Sequence, residues 1–365
     1  MNNSTVPTEK AAIRDALIAQ REYTIALYDD LPAGYWRPTD FPFSTVINPP
    51  LWELAHVAYF AEFFCTRWSP DDLSGVKTPS LLDVADQLFD STRVPHAARW
   101  TNSYPSKAAC FAYMEAAMSR VLDALAALHD QCDAGLFQLA LLHEDMHAEA
   151  LLMTLQSLRL PLPLVVAARR QYQYSNGPNQ AIKFVGGEFM MGASQRPFRF
   201  DNESPSAKTT VAPFEIDALP VSVGAFAAWR AGSRVADANA VTSDFAAMHM
   251  THAEAAAFAR DHGRRLPTEA EWEFAATAGD ASAAAFLVST GQVWEWTTSE
   301  FAPYPGFLAS PYAEYSAPWF ADQGTIHMVL KGGAFVTHPR IKYPQYRNFY
   351  TPERSDMFCG FRTCK

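Results

Sequence analysis

Two histidines one helical turn apart, His143 and His147 in the segment HEDMH, carry the strongest chemical signal in this sequence. Residues i and i+4 share one face of a helix, so both imidazoles can reach a single metal ion. A third candidate ligand is His56, near the middle of the apolar run WELAHVAYFAE. In a helical bundle, side chains from facing helices converge on the interior. His56, His143 and His147 can therefore make a three-histidine facial metal site. A lone histidine on an apolar helix face is more often a hydrogen-bonded core residue, so His56 carries weight only beside the pair. The remaining histidines (His96, His129, His249, His252, His262, His327 and His338) lack such spacing and read as surface or structural residues. HEDMH also fits the H-E-x-x-H pattern of zinc proteases, in which the glutamate is the general base. The third ligand of those enzymes lies downstream, and nothing after His147 supplies a clear one. Glu144 and Glu149 are then expected to accept hydrogen bonds from imidazole N–H groups.

Such ligands need a helical frame, and residues from about 9 to 160 read as one. Four amphipathic stretches stand out: 7–31, about 50–68, 107–130 and 135–160, the last ended by Pro161 and Pro163. Their apolar residues recur at helical spacing. With one long connection, roughly 70–105, they predict a four-helix bundle. After Pro163 the pattern changes to Gly, Pro, Trp and short apolar runs, with brief helical pieces near 222–231 and 251–262. That pattern predicts a compact α+β domain rich in irregular structure. The expected organisation is a bundle over 1–162, a linker over 163–182 and the α+β domain over 183–365.

The 365 residues suffice for two domains with separate cores. An apolar fraction of 49% and a charged fraction of 19% are ordinary for a soluble globular protein. No stretch approaches the roughly 18 apolar residues a membrane helix needs, so no membrane role is expected. The formal net charge of −10 argues against a nucleic-acid partner, because phosphate binding needs a basic face. The polar start has no apolar core of the signal-peptide kind. The five cysteines (Cys65, Cys110, Cys132, Cys359 and Cys364) form no CxxC pair and no even framework. Both features favour reduced thiols in the cytoplasm. The aromatic share of 13% is high; it fits a ring-rich core, or a pocket whose ring faces attract a quaternary ammonium group.

The segments PPLWELAHVAYFAEFF and LLHEDMHAEALL resemble the DinB-like iron-binding domain of the ergothioneine-type sulfoxide synthases. The second half is similar to the formylglycine-generating-enzyme-like domain, a C-type-lectin-like fold. It carries FVGGEFMMGA, DNESP, RRLPTEAEWEFAA, GQVWEWTTSEF, KGGAF and the terminal GFR in the expected order. The resemblance spans nearly the whole chain, and the two-domain combination is more specific than any one motif.

What the resemblance implies is an oxygen-dependent non-haem iron enzyme. His56, His143 and His147 would hold Fe(2+), leaving positions for a sulfur or selenium donor, an imidazole acceptor and O2. The acceptor would be hercynine, N-α-trimethylhistidine, attacked at C2. Family members use a tyrosine in the loop after the WEW segment as a proton donor; here the candidate is Tyr304 in SEFAPYPGF. They also carry an Arg-Asn-Trp-Asp segment lining the substrate pocket. Here it reads Arg347-Asn348-Phe349-Tyr350, so Asn348 would contact the betaine. Phe349 keeps an aromatic face, and Tyr350 replaces a carboxylate that helps hold the donor γ-glutamylcysteine. Tyr104 precedes Pro105 where the family has Arg before Pro, and Met146 stands where glutamine is common between the metal histidines. Burying an unpaired charge is costly. A pocket lined by Tyr104, Met146, Phe349 and Tyr350 therefore suits an uncharged seleno- or thiosugar better than γ-glutamylcysteine or cysteine.

Other classes fit less well. A copper-dependent formylglycine-generating oxidase needs a cysteine pair near its YR segment, and HPRIKYPQYRNFY has no cysteine. A zinc-dependent hydrolase or thiol transferase of the DinB superfamily would share the histidines but consume no oxygen. A non-catalytic lectin-like binder has no use for an open metal site.

Overall fold

The structure, a computed structural model, describes residues 5–29, 31–68, 78–129, 134–170, 179–193, 198–232 and 245–365. It divides into two compact units, Met1–Pro161 and Leu162–Lys365.

The first unit is built on four long helices: α1 (Lys10–Asp29), α2 (Pro50–Glu62), α4 (Lys107–Ala127) and α5 (Gly135–Ser157), with a one-turn α3 (Ala85–Leu88) in the long connection. Pro50 occupies the first turn of α2, where its missing N–H costs nothing. All thirteen residues of α2 are buried, as befits a helix that is apolar nearly all round. It packs against α4 and α5, and α1 packs against α4 and α5. Ser106 caps α4 by accepting from the Ala109 N–H at 3.2 Å. The second helix is shorter than its apolar run implies. At Glu62 it passes into a π-helical turn, Phe63–Arg67, before the chain extends at Trp68.

In the second unit Leu164–Ala167 forms a short helix, α6, and β1 begins at Ala181. Both fall inside the stretch expected to be a linker, of which residues 171–178 lie outside the described ones. β1 (Ala181–Phe184) pairs antiparallel with β4 (Phe214–Asp217), and β2 (Gly187–Met191) with β3 (Ala207–Val211). A four-stranded sheet in the order β7-β6-β5-β8 joins Asn348–Tyr350, Met328–Lys331, Trp294–Glu300 and Cys359–Gly360. Only the β5–β8 pair is parallel. Helices α7 (Val223–Arg230) and α8 (His252–Asp261) stand near the expected pieces, but α9 (Glu269–Thr277) and α10 (Ala281–Leu287) were not foreseen. Thr268 and Glu271 form a reciprocal capping box that starts α9. Phe184, Phe214, Ile216, Trp272 and Phe286 belong to one apolar cluster of this unit.

Among the described residues no helix is long and apolar enough to cross a membrane. The four described cysteines are free; Cys132 lies outside the described residues.

Candidate metal centre

α2 brings His56, and α5 brings His143 and His147, to one place in the first unit. Each offers a ring nitrogen, and these atoms lie within 4.8 Å of one another. Among the described residues this is the one such group of three or more histidines, cysteines or carboxylates.

Each ring is fixed by a different neighbour. His56 stacks on Trp52, one turn earlier, with centroids 4.6 Å apart and planes 9° from parallel. Its Nδ1 meets the Phe89 carbonyl at 2.7 Å. A carbonyl only accepts, so Nδ1 holds the proton and Nε2 keeps a lone pair. His147 Nδ1 likewise donates to the Glu53 carboxylate at 2.5 Å, which again leaves Nε2 for a ligand. The His143 ring lies flat on Phe60, with centroids 3.5 Å apart. Burial first, then the neighbouring His147, holds the His56 imidazole well below the usual histidine range. The same causes, with His56 added, act on His143. Neutral His56 and His143 imidazoles, with a ring nitrogen of each of the three histidines within 4.8 Å of the others, suit a divalent transition metal. The residues fit such an ion.

The acceptor behind His147 is Glu53. The sequence carries it one turn before His56, in the Glu-x-x-His spacing known from bundle metal sites, and Glu53 rather than the expected Glu144 or Glu149 accepts from His147 Nδ1. Glu144 instead binds Arg21 through both oxygens, at 2.7 and 3.1 Å. One residue along a helix turns the side chain by about 100°, which carries Glu144 away from the histidine face and toward α1. A carboxylate held in a buried bidentate pair is poorly placed to act as a protease general base.

Of the other expected residues in this unit, Tyr104 donates its hydroxyl to the Arg99 carbonyl at 3.0 Å. Its ring lies 5.8 Å from Phe89. Met146 is half-buried on α5 between the two histidines.

The second unit brings Tyr304 and Arg347 together at the buried Glu269 carboxylate, which Lys331 also faces at 3.7 Å, whereas Phe349 and Tyr350 pack elsewhere. Arg347 binds Glu269 through Nε at 2.7 Å and through its terminal nitrogen at 3.1 Å. The Tyr304 hydroxyl donates to the same carboxylate at 3.2 Å, and the Arg347 guanidinium lies 4.3 Å from the Tyr304 ring centre. Burial, then the Glu269 charge, pushes the Tyr304 phenol well above its ordinary value. Gly192 packs against the tyrosine: with φ at +95°, any Cβ there would meet the Glu203 carbonyl at 2.6 Å and the Tyr304 ring at 3.0 Å. Asn348 accepts from the Phe349 N–H. Phe349 stacks on Phe301 at 4.0 Å and joins a small core with Phe320 and Val329. The Arg354 guanidinium covers Tyr350 at 4.5 Å.

These features, a three-histidine bundle and a formylglycine-generating-enzyme-like unit in one chain, define a class. The chain belongs to the sulfatase-modifying factor enzyme 1-like family, whose domain matches residues 168–290 and 287–365, and residues 16–151 match the DinB superfamily; the pairing supports the ergothioneine-type sulfoxide synthases. It is an oxidoreductase of that type. It is similar to the hercynine oxygenase of Mycobacterium tuberculosis, at 28% identity over 396 residues that cover 88% of this chain and 91% of that protein. The hercynine oxygenase of Mycolicibacterium thermoresistibile is 28% identical over 441 residues, covering 99% of this chain and 96% of the relative. The formylglycine-generating enzyme of Mycobacterium tuberculosis matches at 28% over 166 residues, 32% of this chain and 55% of that enzyme.

Proposed function

We propose that this chain is an O2-dependent non-haem iron(II) enzyme that joins a sulfur or selenium donor to C2 of the hercynine imidazole. The observation that carries the reading is the set of three imidazole nitrogens within 4.8 Å of one another, in a chain with both domains of its family. In this reading His56, His143 and His147 hold the iron. Bound there, Fe(2+) supplies the redox chemistry with dioxygen and open positions for substrates. The Phe89 carbonyl and Glu53 keep the Nδ1 protons of His56 and His147 away from the metal. Trp52 and Phe60 hold two of the rings against rotation. Tyr304 acts as proton donor, a role resting on its place after the WEW segment, and its phenol stays protonated at neutral pH. Asn348 contacts the betaine.

We further propose that the donor is an uncharged selenosugar or thiosugar, so that the selenium form of the reaction leads to selenoneine. The resemblance places Tyr104 where the family carries an arginine and Tyr350 where it carries a carboxylate that helps hold an ionic donor, while Phe349 and Met146 replace a tryptophan and a glutamine. Within each unit, the guanidinium beside the tyrosine, Arg99 for Tyr104 and Arg354 for Tyr350, is already bonded. Arg99 donates to Asn48 at 2.6 Å and lies over Trp52, and Arg354 is paired with both oxygens of Asp356 through Nε and one terminal nitrogen. A zwitterionic donor such as γ-glutamylcysteine would be left with uncompensated charge, at a cost of several kcal/mol.

The test is to give the iron-loaded protein hercynine, O2 and, in turn, a selenosugar, a thiosugar, γ-glutamylcysteine and cysteine, following oxygen uptake and product mass. The sugar donors should turn over at least tenfold faster than γ-glutamylcysteine. Faster turnover of γ-glutamylcysteine would overturn the donor assignment and make this an ergothioneine-type sulfoxide synthase of the usual kind. No oxygen uptake with any donor would overturn the function itself.

A further inference from the structure

The His56 tautomer depends on a backbone carbonyl that lies 33 residues further along the chain, and the structure shows how that carbonyl is kept in place. At the end of α2 the helix widens into the π-helical turn Phe63–Arg67, a feature that is rare and concentrated at functional sites. The Arg67 side chain is fully buried. Its guanidinium grips Asp86 with two bonds, at 2.9 and 2.7 Å, and its Nε donates to the Thr78 carbonyl at 3.0 Å. Glu62, also fully buried, accepts from the Ser80 hydroxyl, the Leu81 N–H, the Tyr113 hydroxyl and Arg120, all at 2.7–2.8 Å. Residues 78–86 are thus tied to the end of α2 by charge-assisted bonds, the strongest kind available to side chains.

Asp86 lies within α3, and the turn closes on Phe89, whose N–H donates to the Ala85 carbonyl at 2.8 Å. Asp86 and Phe89 therefore move as one rigid piece. Two carbonyls at the far end of that piece reach back to α2. Leu88 accepts from the Trp52 indole at 2.8 Å, and Phe89 accepts from His56 Nδ1 at 2.7 Å. Trp52 is itself the ring on which His56 stacks.

We propose that Arg67 and Asp86 are positioning residues for the metal centre: by holding α3 against α2 they fix the Phe89 carbonyl, and so fix His56 with its proton on Nδ1 and Nε2 free for the metal. Neither residue touches the triad. The inference rests on the metal reading above for its functional meaning, but its physical content is a statement about the metal-free protein. An unrestrained neutral imidazole populates both tautomers, and only a fixed acceptor at one nitrogen selects between them. Hydrogen bonds weaken steeply once distance and angle drift, so a modest displacement of α3 releases the choice. A salt bridge serving only overall stability would have no effect on which ring nitrogen carries the proton.

The experiment uses the full chain labelled with 15N at histidine. In the native apoprotein the His56 nitrogens should report a protonated Nδ1 and a bare Nε2. In Asp86→Asn, a change at a side chain one-third exposed, and in Arg67→Gln, the same ring should report a mixture of tautomers. Co(II) affinity should fall tenfold or more, the scale seen for lost partners behind metal-binding histidines. His147, held independently by Glu53, should keep its native pattern in both variants. Arg265→Gln, which breaks a similar bidentate pair with Glu271 in the second unit, should change neither readout. A folded Asp86→Asn protein with a native His56 spectrum and Co(II) affinity within twofold of native would overturn the proposal. A native protein that binds neither Co(II) nor Fe(II) would overturn the metal reading instead, with the tautomer spectra still deciding the role of Arg67 and Asp86.

Discussion

Removing the charge behind His147 gives a prediction whose size follows from the geometry. Glu53 accepts from His147 Nδ1 at 2.5 Å, and the two side chains are 5% and 18% exposed. A carboxylate there both orients the ring and makes Nε2 a better donor to a metal. Loss of such a partner typically weakens metal binding about 10–100-fold, or roughly 1.4–2.8 kcal/mol at about 1.4 kcal/mol per decade. Glu53→Gln keeps the volume and one accepting oxygen, and the partial exposure of His147 screens part of the lost charge. Its effect belongs near the lower end, about tenfold. Glu53→Ala removes the acceptor and leaves a void beside His147, so it belongs near the upper end, with a loss of stability as well. Anaerobic competition for Fe(II) against a chromophoric chelator measures both. A Gln variant within twofold of native, or an Ala variant binding no more weakly than the Gln one, would refute the assigned role of Glu53.

Three further outcomes follow from other contacts. Glu144→Leu strands the buried Arg21 guanidinium and should cost about 3–5 kcal/mol in urea denaturation with metal content per folded molecule unchanged. Native stability with lost activity would instead favour a protease-like base. Tyr304→Phe removes one hydrogen bond to Glu269, worth about 1 kcal/mol. It should lower kcat sharply at native iron content, and a native kcat would remove Tyr304 from the mechanism. Burial pushes the Glu269 carboxyl up, but Arg347 and then Lys331 beside it more than offset this and hold it below the usual glutamate range. Its contribution to stability is therefore complete above the unfolded value, near ~4.3, and fades as pH falls through the lower folded value. Urea titrations across that acid range should show a steeper loss for the native protein than for Glu269→Gln, and equal slopes would contradict the assignment.

What could be read from the sequence was what lies close along the chain. The four long helices announce themselves through apolar periodicity, and His143 and His147 through a spacing that needs no tertiary knowledge. His56 is visible only as a single histidine in an apolar helix, and only folding shows that α2 faces α5 across it. Glu53 stands one turn before His56, yet a glutamate in an apolar run has several readings until its partner is known. The Phe89 carbonyl and the Arg21–Glu144 pair were not legible, because they join residues 33 and 123 positions apart. The capping box at Thr268 and Glu271 is a local signal for α9 that sits in plain view within TEAE. The irregular, Gly- and Pro-rich surroundings made a helix there easy to overlook. Tyr304 was picked out by motif position alone. Its bond to Glu269, fixed by Arg347, depends on three segments brought together by the sheet and α9.

The most direct measurement is iron content and oxygen uptake after anaerobic Fe(II) loading of the native chain and of His56→Ala, His143→Ala and His147→Ala. The native protein should retain stoichiometric iron and consume oxygen with hercynine and a chalcogen donor, and each variant should lose both while keeping its helical content. A His56→Ala protein that still held iron and formed product would contradict a centre built from these three imidazoles.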